Sequence, residues 1–343
     1  MEPKVSKAVI LAAGAGSRVQ PFTSYMPKTM LPYGSYPILY HQVDIAYNAG
    51  IRDVVIVSRE DDEKTVLGYK NDPKIKGIFQ VQNDYINGHL KGEFAKKGVK
   101  VEIVYQSNNA ETGKPRGPGD AVISAERYIG KDNYAVILGD LILEPKEKGE
   151  KSLLENILSR FDGENDIVSS SVLDMDSARE GGMIRGEYCG NGLIKIMEIR
   201  QKPRKEEDKE FIDGCRTPDG KYRATWSGIY ILNKYSIGYL KTATPRKDRN
   251  EIDIEDGLMM QCLDENRKTE AYAFDYKGAD GTRYIERNFG SVGEWLSHNV
   301  EEKTIVRFVE SLKRQPEGFQ KEVAEELAKR YPDRDWSILG KNG

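Results

Sequence analysis

The run Lys7-Ala8-Val9-Ile10-Leu11-Ala12-Ala13, apolar at every position after the lysine and followed by Gly14 and Gly16, constrains this chain more than any other stretch. A strand that is apolar on both sides has to be covered on both sides, which places it inside a parallel sheet flanked by helices. Glycines directly after such a strand let backbone N–H groups come close to an anion at the edge of the sheet.

The same pattern returns downstream. Asp53 to Ser58, Val101 to Tyr105 and Tyr134 to Leu138 are short apolar runs that read as further buried strands. Between them, Tyr36 to Ala49 carries Ile38, Leu39, Val43, Ile45 and Ala46 and stops at Gly50, the pattern of a helix with a glycine terminator. Pro118 to Tyr128 reads as a helix with proline at an early position, and Arg59 to Lys100 as helical packing plus loops. Strand and helix alternate, so the class is α/β. From Asp166 to Leu232, strands at Ile167 to Val172 and Ala224 to Leu232 are predicted to extend the sheet and build a second lobe. After Gly290 three helical stretches are expected, Val292 to Val300, Lys303 to Lys313 and Gly318 to Arg330. Such a tail caps the domain or joins protomers, so a homo-oligomer is expected.

Composition narrows the partner. A net charge of −3 with both signs spread along the chain lacks the basic excess that nucleic-acid wrapping or membrane adsorption requires, which leaves a small molecule. Cys189, Cys215 and Cys262 show no paired or ligand spacing and read as free thiols in a reducing cytoplasm. The charged start and the apolar run broken at Gly14 are too short for a signal sequence or a membrane span, so a cytoplasmic protein is expected.

The chemistry is concentrated in Gly14-Ala15-Gly16-Ser17-Arg18-Val19-Gln20-Pro21-Phe22-Thr23, followed by Pro27-Lys28-Thr29-Met30-Leu31-Pro32. A guanidinium can fork onto phosphate oxygens and an ammonium can follow them as a point charge, so Arg18 and Lys28 together suit a polyphosphate. A dinucleotide fold would want a third glycine where Val19 stands, and a P-loop would want Gly-Lys-Ser/Thr. The whole string resembles the signature of the sugar-phosphate nucleotidyltransferases, the pyrophosphorylases that make nucleotide sugars. That resemblance implies a Rossmann-like mixed, mostly parallel sheet flanked by helices, with a sugar-binding lobe and a helical C-terminal tail. It assigns Ala13, Gly14, Gly16, Ser17 and Arg18 to the triphosphate and Lys28 to the phosphates at the reacting centre.

Further segments carry the likeness. Gln106 and then Gly117-Pro118-Gly119-Asp120-Ala121 resemble the segment where the family reads a pyrimidine base and starts a helix; a glutamine offers both a donor and an acceptor. Val136-Ile137-Leu138-Gly139-Asp140 resembles the strand that delivers a Mg²⁺-binding aspartate, here Asp140. Gln201-Lys202-Pro203 resembles the family's Glu-Lys-Pro element, so Lys202 would neutralise the sugar 1-phosphate, while Gln201 stands where the sugar-binding glutamate usually is. Gly182 matches the glycine that lies against the sugar. In Asn288-Phe289-Gly290, Asn288 occupies the position of a second metal-binding aspartate; its amide oxygen brings no charge, and Asp280 and Glu286 are the nearest carboxylates that could compensate.

The resemblance implies a catalytic domain over 1–290, with a nucleotide half to about 145 and a sugar half from about 146, and a helical segment over 291–343. It implies nucleotidyl transfer from a nucleoside triphosphate to a sugar 1-phosphate, most similar to UTP:glucose-1-phosphate uridylyltransferases, although Thr29 replaces the glutamate that usually follows the Pro-Lys pair. A thymidylyltransferase, an enzyme acting on N-acetylglucosamine 1-phosphate, and a non-catalytic paralogue that binds a nucleotide sugar stay open at this point.

Overall fold

The apolar runs become strands β1 (Lys7–Leu11), β2 (Asp53–Ser58), β3 (Lys100–Tyr105) and β4 (Tyr134–Leu138), all parallel, in the spatial order β3-β2-β1-β4. The structure, a computed structural model, describes residues 4–14, 16, 19, 23, 26–60, 77–109, 115–145, 147, 149–204, 207–246, 250–266, 269–275 and 284–288, with the backbone alone at 226, 227 and 285–288. Alternate residues of β1 enter different cores. Ala8 and Ile10 pack with Val54 and Ile56 in one, and Val9 packs with Val55, Val57 and Val136 in the other. All of these side chains are fully buried, which is the reason the run holds no polar residue.

Helix α1 (Ile38–Asn48) starts two residues later than the apolar spacing suggests. Tyr36–Pro37 first pairs with Pro32–Tyr33 in a two-residue ladder, and Pro37 keeps an extended ψ of 153° before the helix begins. Helix α2 (Ile78–Tyr85) runs on through a π-turn at Ile86–Leu90 to Ala95, within the stretch expected to be helical. Helix α3 (Pro118–Ser124) stops short of Tyr128, because Ala125 leaves helical geometry (φ −90°, ψ 3°) before a last turn at Glu126–Ile129.

Strand β5 (Leu141–Pro145) follows β4 at once but leaves the main sheet. The second half then contributes β6 (Asp166–Leu173), β7 (Gly182–Gly190), β8 (Leu193–Gln201), β9 (Tyr222–Leu232) and β10 (Ala271–Asp275). The two halves share one nine-stranded mixed sheet, ordered β3-β2-β1-β4-β9-β6-β10-β8-β7, because β9 runs antiparallel beside β4. The α/β class and the mixed, helix-flanked sheet are therefore as the sequence implied. The register of β9 against β6 slips between Thr225 and Tyr230, and its earlier part also pairs with β7, Thr225 opposite Gly182. Strand β11 (Tyr284–Asn288) pairs antiparallel with β5, setting Asn288 opposite Leu141.

Helices α4 (Ser236–Thr242) and α5 (Ile254–Cys262) lie together on the second half, with Gly257 of α5 against Leu240 of α4. Asp166, fully buried at the start of β6, ties this corner down. It accepts from the Asn233 backbone N–H (2.7 Å) and from Gln261 Nε2 (2.9 Å) of α5. Burial pushes its carboxyl up to about 7 despite those donors. The helices expected after Gly290 lie outside the described residues, and among the described residues no helix is long and apolar enough to cross a membrane.

Candidate active site

The carboxyl ends of β1 and β4, paired Leu11 to Leu138, open the cleft from which the site grows. Gly139 follows β4 and donates its N–H to the Leu11 carbonyl (3.1 Å), holding the two strand ends together where Asp140 emerges. A Cβ at Gly139 would lie 2.6 Å from that same carbonyl and 2.6 Å from Thr29 Cγ2, so glycine is required by close approach. Lys28 sits in a short turn, Lys28–Met30, and its Nζ donates to Asp140 Oδ2 at 2.8 Å. The Lys28 side chain is 10% exposed and that of Asp140 39% exposed, so the cation is held within the wall and the carboxylate faces the opening. Two motifs 112 residues apart in sequence thus meet as one ion pair.

The turn carrying Lys28 is held from below. Thr29, at the position that sets this chain apart from its likeness, donates its hydroxyl to Gln82 Oε1; Gln82 Nε2 in turn reaches the Ala12 carbonyl (3.0 Å) and Ser58 Oγ (2.8 Å). Ser58 continues to Asn83 Oδ1 (2.7 Å), so α2 is laced to the ends of β1 and β2 through buried polar groups that satisfy one another. A glutamate at 29 would bury a charge beside Gln82, which explains why a small hydroxyl suits this framework.

Along the glycine-rich loop, Ala13 is buried, whereas a Cβ at Gly14 would meet none of the described residues within 4 Å. The Gly16 carbonyl accepts from Thr23 Oγ1 (2.7 Å) and the Val19 N–H (2.9 Å), which fixes the turn. Ser17 and Arg18 lie outside the described residues.

Gln106 follows β3 and is 5% exposed. Its Nε2 donates to the Gly117 carbonyl (3.0 Å) and to Asp120 Oδ2 (2.9 Å). Both partners are acceptors, which orients the amide with its nitrogen inward. The amide nitrogen is thus engaged within the protein, whereas the sequence suggested that donor and acceptor together would face a base. Gly117 adopts φ +92° against Ile252, whose backbone N–H the Arg116 carbonyl accepts (2.7 Å), so this cradle is braced by the segment leading into α5.

The second lobe gathers its own residues. Gly182 opens β7, Gln201 closes β8, and the two are paired in register. Gln201 Nε2 lies 2.7 Å from where a Gly182 Cβ would be, and the Gly182 N–H donates to Thr225 Oγ1 (3.2 Å). Lys202 then turns into the left-handed region (φ +46°), its N–H bonded to the Gly181 carbonyl (2.9 Å), and its side chain is exposed. Holding a non-glycine residue there costs about 1–2 kcal/mol, and such outliers cluster at working sites. Lys202 and Gln201 line a cavity of about 500 Å³ together with Arg246 and Glu255.

Glu255 was not visible as a site residue in the sequence, where it sits in an acidic string before a helix. In the structure it is buried, accepts from Tyr230 Oη at 2.8 Å and lines the same cavity as Gln201. Burial pushes its carboxyl up, the charge of Asp253 adds to this, and the neighbouring Tyr230 and Gln201 oppose it. The Tyr230 phenol is itself pushed up, by burial, then by Glu255 and Asp253, and also by Asp140. Tyr230 of β9 thus has the carboxylates of both Asp140 and Glu255 in its surroundings.

The Asp140 carboxylate itself offers hard oxygens, and Mg²⁺ characteristically takes one or two carboxylates and completes its shell from phosphates and water. The half-open Asp140 carboxylate fits that demand. The backbone of Asn288 is opposite Leu141, the residue after Asp140. Asp280 lies outside the described residues, and Glu286, two residues from Asn288 on β11, is described by its backbone alone.

Comparison with known proteins gives the chain's family and relatives. The model of the family described as nucleotidyl transferase matches residues 7–297. A UTP--glucose-1-phosphate uridylyltransferase of Mycoplasma genitalium is 28% identical over 293 residues, covering 84% of this chain and 92% of the relative. A UTP--glucose-1-phosphate uridylyltransferase 2 of Staphylococcus saprophyticus is 26% identical over 317 residues, covering 90% and 99%. Among solved structures, a UDP-glucose pyrophosphorylase complexed with UDP-glucose superposes with a TM-score of 0.62 at 23% identity, covering 86% of this chain and 97% of that one, a likeness of fold.

Proposed function

The chain belongs to the nucleotidyl transferase family, and from that premise we propose that it joins UTP to glucose 1-phosphate, giving UDP-glucose and pyrophosphate. The Lys28–Asp140 pair at the carboxyl edge of β1 and β4 is the observation that carries this reading, because it sets a phosphate-seeking cation and a metal-seeking carboxylate side by side. The choice of UTP and glucose 1-phosphate rests on the curated relatives of Mycoplasma and Staphylococcus.

A sugar 1-phosphate is close to a dianion at neutral pH, since a phosphate monoester has its second pKa near 6. No general base is needed. One of its oxygens forms a bond to the α-phosphorus of the triphosphate, the α–β bridging bond breaks, and the electron pair leaves with pyrophosphate. The barrier is the approach of two polyanions, so the protein's share is neutralisation and in-line positioning. In this reading Lys28 and Arg18 hold the triphosphate along the loop of Ala13, Gly14, Gly16 and Ser17. Lys202 receives the sugar phosphate, and Gly182 leaves room for the Gln201 amide that faces the sugar. Gln106, with its nitrogen spent on Gly117 and Asp120, presents its carbonyl to the N3–H of a pyrimidine. Mg²⁺, held by Asp140 with Asn288 beside it, would supply positive charge to the phosphate oxygens.

The test is pyrophosphate release with a panel of nucleoside triphosphates against glucose, N-acetylglucosamine, galactose and mannose 1-phosphates. UTP with glucose 1-phosphate is expected to exceed every other pair. Thymidine triphosphate is the nearest competitor, because the 5-methyl group adds only about 1 kcal/mol of apolar contact. A stronger response to thymidine triphosphate or to N-acetylglucosamine 1-phosphate would reassign the substrate, and silence throughout with UDP-glucose still bound would make the chain a binding protein.

A further inference from the structure

Resting on that reading, we propose that Glu255 is a specificity residue of the sugar site, set beside Gln201 in one cavity lining so that the two together receive the hydroxyls of the hexose. Both line the same cavity as Lys202, one from the end of β8 and the other from the first turn of α5. Position 201 offers only an amide. The carboxyl oxygens of this part of the cavity come from a different element, 54 positions further along the chain.

The geometry gives each member a task. Glu255 is fixed by Tyr230 Oη at 2.8 Å, and it lines the same cavity as the Gln201 amide, so a carboxyl and an amide face one ligand. Gln201 Nε2 lies over Gly182, which is itself held by Thr225. A buried carboxyl held at one oxygen by a phenol has lone pairs for sugar hydroxyls, which are good donors. Nothing in this arrangement recognises a nucleotide, so changing it should affect the sugar substrate alone. Glu255 acts on the sugar directly beside Gln201, and a reciprocal exchange tests the two together.

The experiment compares Glu255→Gln, Gln201→Glu and the double exchange in the full chain. The readouts are KM values from pyrophosphate release with UTP and glucose 1-phosphate, and calorimetric titration of UDP-glucose, which needs no turnover. Glu255→Gln is expected to raise the KM for glucose 1-phosphate and the Kd for UDP-glucose about tenfold, the scale of one hydrogen bond to a charged group, with the KM for UTP unchanged. Gln201→Glu brings two carboxyls into one cavity lining and is expected to weaken both constants similarly. The double exchange restores an acid–amide pair, with Tyr230 now donating to an amide oxygen, and should return both constants to within about threefold of the parent. Unchanged constants in Glu255→Gln, or a double exchange no better than the singles in chains that melt at the parental temperature, would overturn the proposal. A parent chain that neither turns over nor binds UDP-glucose would instead overturn the functional reading, and the pairing role with it.

Discussion

Adding one methyl group at Gly139 should damage both fold and chemistry by calculable amounts. The new Cβ would sit 2.6 Å from the Leu11 carbonyl oxygen, where ordinary contact begins near 3.4 Å, so about 0.8 Å of room has to be found. Thr29 cannot supply it by rotating, because its hydroxyl is committed to the buried Gln82. The ends of β1 and β4 must separate instead, stretching the Gly139 to Leu11 hydrogen bond from 3.1 Å. Overpacking of this kind costs about 1–3 kcal/mol and a stretched hydrogen bond up to about 1 more, so Gly139→Ala should lose about 2–3 kcal/mol in urea denaturation. Total stability of about 5–15 kcal/mol leaves the variant folded. Asp140 is the next residue, and displacing it by most of an ångström from Lys28 should lower pyrophosphate release on the order of 10²-fold. Gly14→Ala is the control. Its Cβ meets none of the described residues within 4 Å, so stability should stay within about 0.5 kcal/mol, while the KM for the triphosphate rises. A Gly139→Ala chain that matched the parent in both stability and turnover would refute the claim that close strand approach sets the Lys28–Asp140 geometry.

Three more outcomes are expected. Lys28→Ala and Asp140→Ala should each lower turnover by at least about 10²-fold, measured as pyrophosphate release, since each removes one electrostatic stabiliser of the transition state; near-parental rates in either would remove the pair from the chemistry. Lys202→Gly should keep or raise stability by up to about 1 kcal/mol, because glycine relieves the φ of +46°, yet raise the KM for the sugar phosphate. For Asp166, the folded chain holds its proton up to about 7 while an unfolded aspartic acid releases it near 3.8, so its contribution to stability falls as pH rises between those values. Urea denaturation of the parent and of Asp166→Asn at pH 5 and pH 8 isolates this term. The difference between the two chains should shift against the parent at the higher pH, by at most about 4 kcal/mol, and a constant difference would contradict it.

The sheet's first half could be read from the sequence because burial on both faces forbids polar residues, and Val9, Ile10, Val55 and Ile56 obey that rule without exception. Helix limits were less legible at Pro37 and Ala125, where local turns override apolar spacing. The site was legible as separate motifs. Lys28 in isolation could be any solvated lysine, and only the closing of β1 on β4 joins it to Asp140. Gln106 was visible as a polar residue at a strand end, but the partners that orient it, Gly117 and Asp120, come from the next helix. Glu255 was hidden altogether, since an acidic residue in the first turn of a helix is ordinarily explained by the helix dipole. Its burial beside Tyr230 and Gln201 follows from how α5 lies on the sheet, which no local pattern records.

If the proposed function holds, the Lys28–Asp140 contact must also be opened by whatever enters. A cleft that keeps its ammonium and its carboxylate clasped gives little purchase to the many lone phosphate esters a cell contains. Separating the two is favourable only for a visitor that satisfies both at once, bringing oxygens for the first and a counter-ion for the second. Discrimination among phosphorylated molecules would then begin at the moment of entry, before any bond is made or broken.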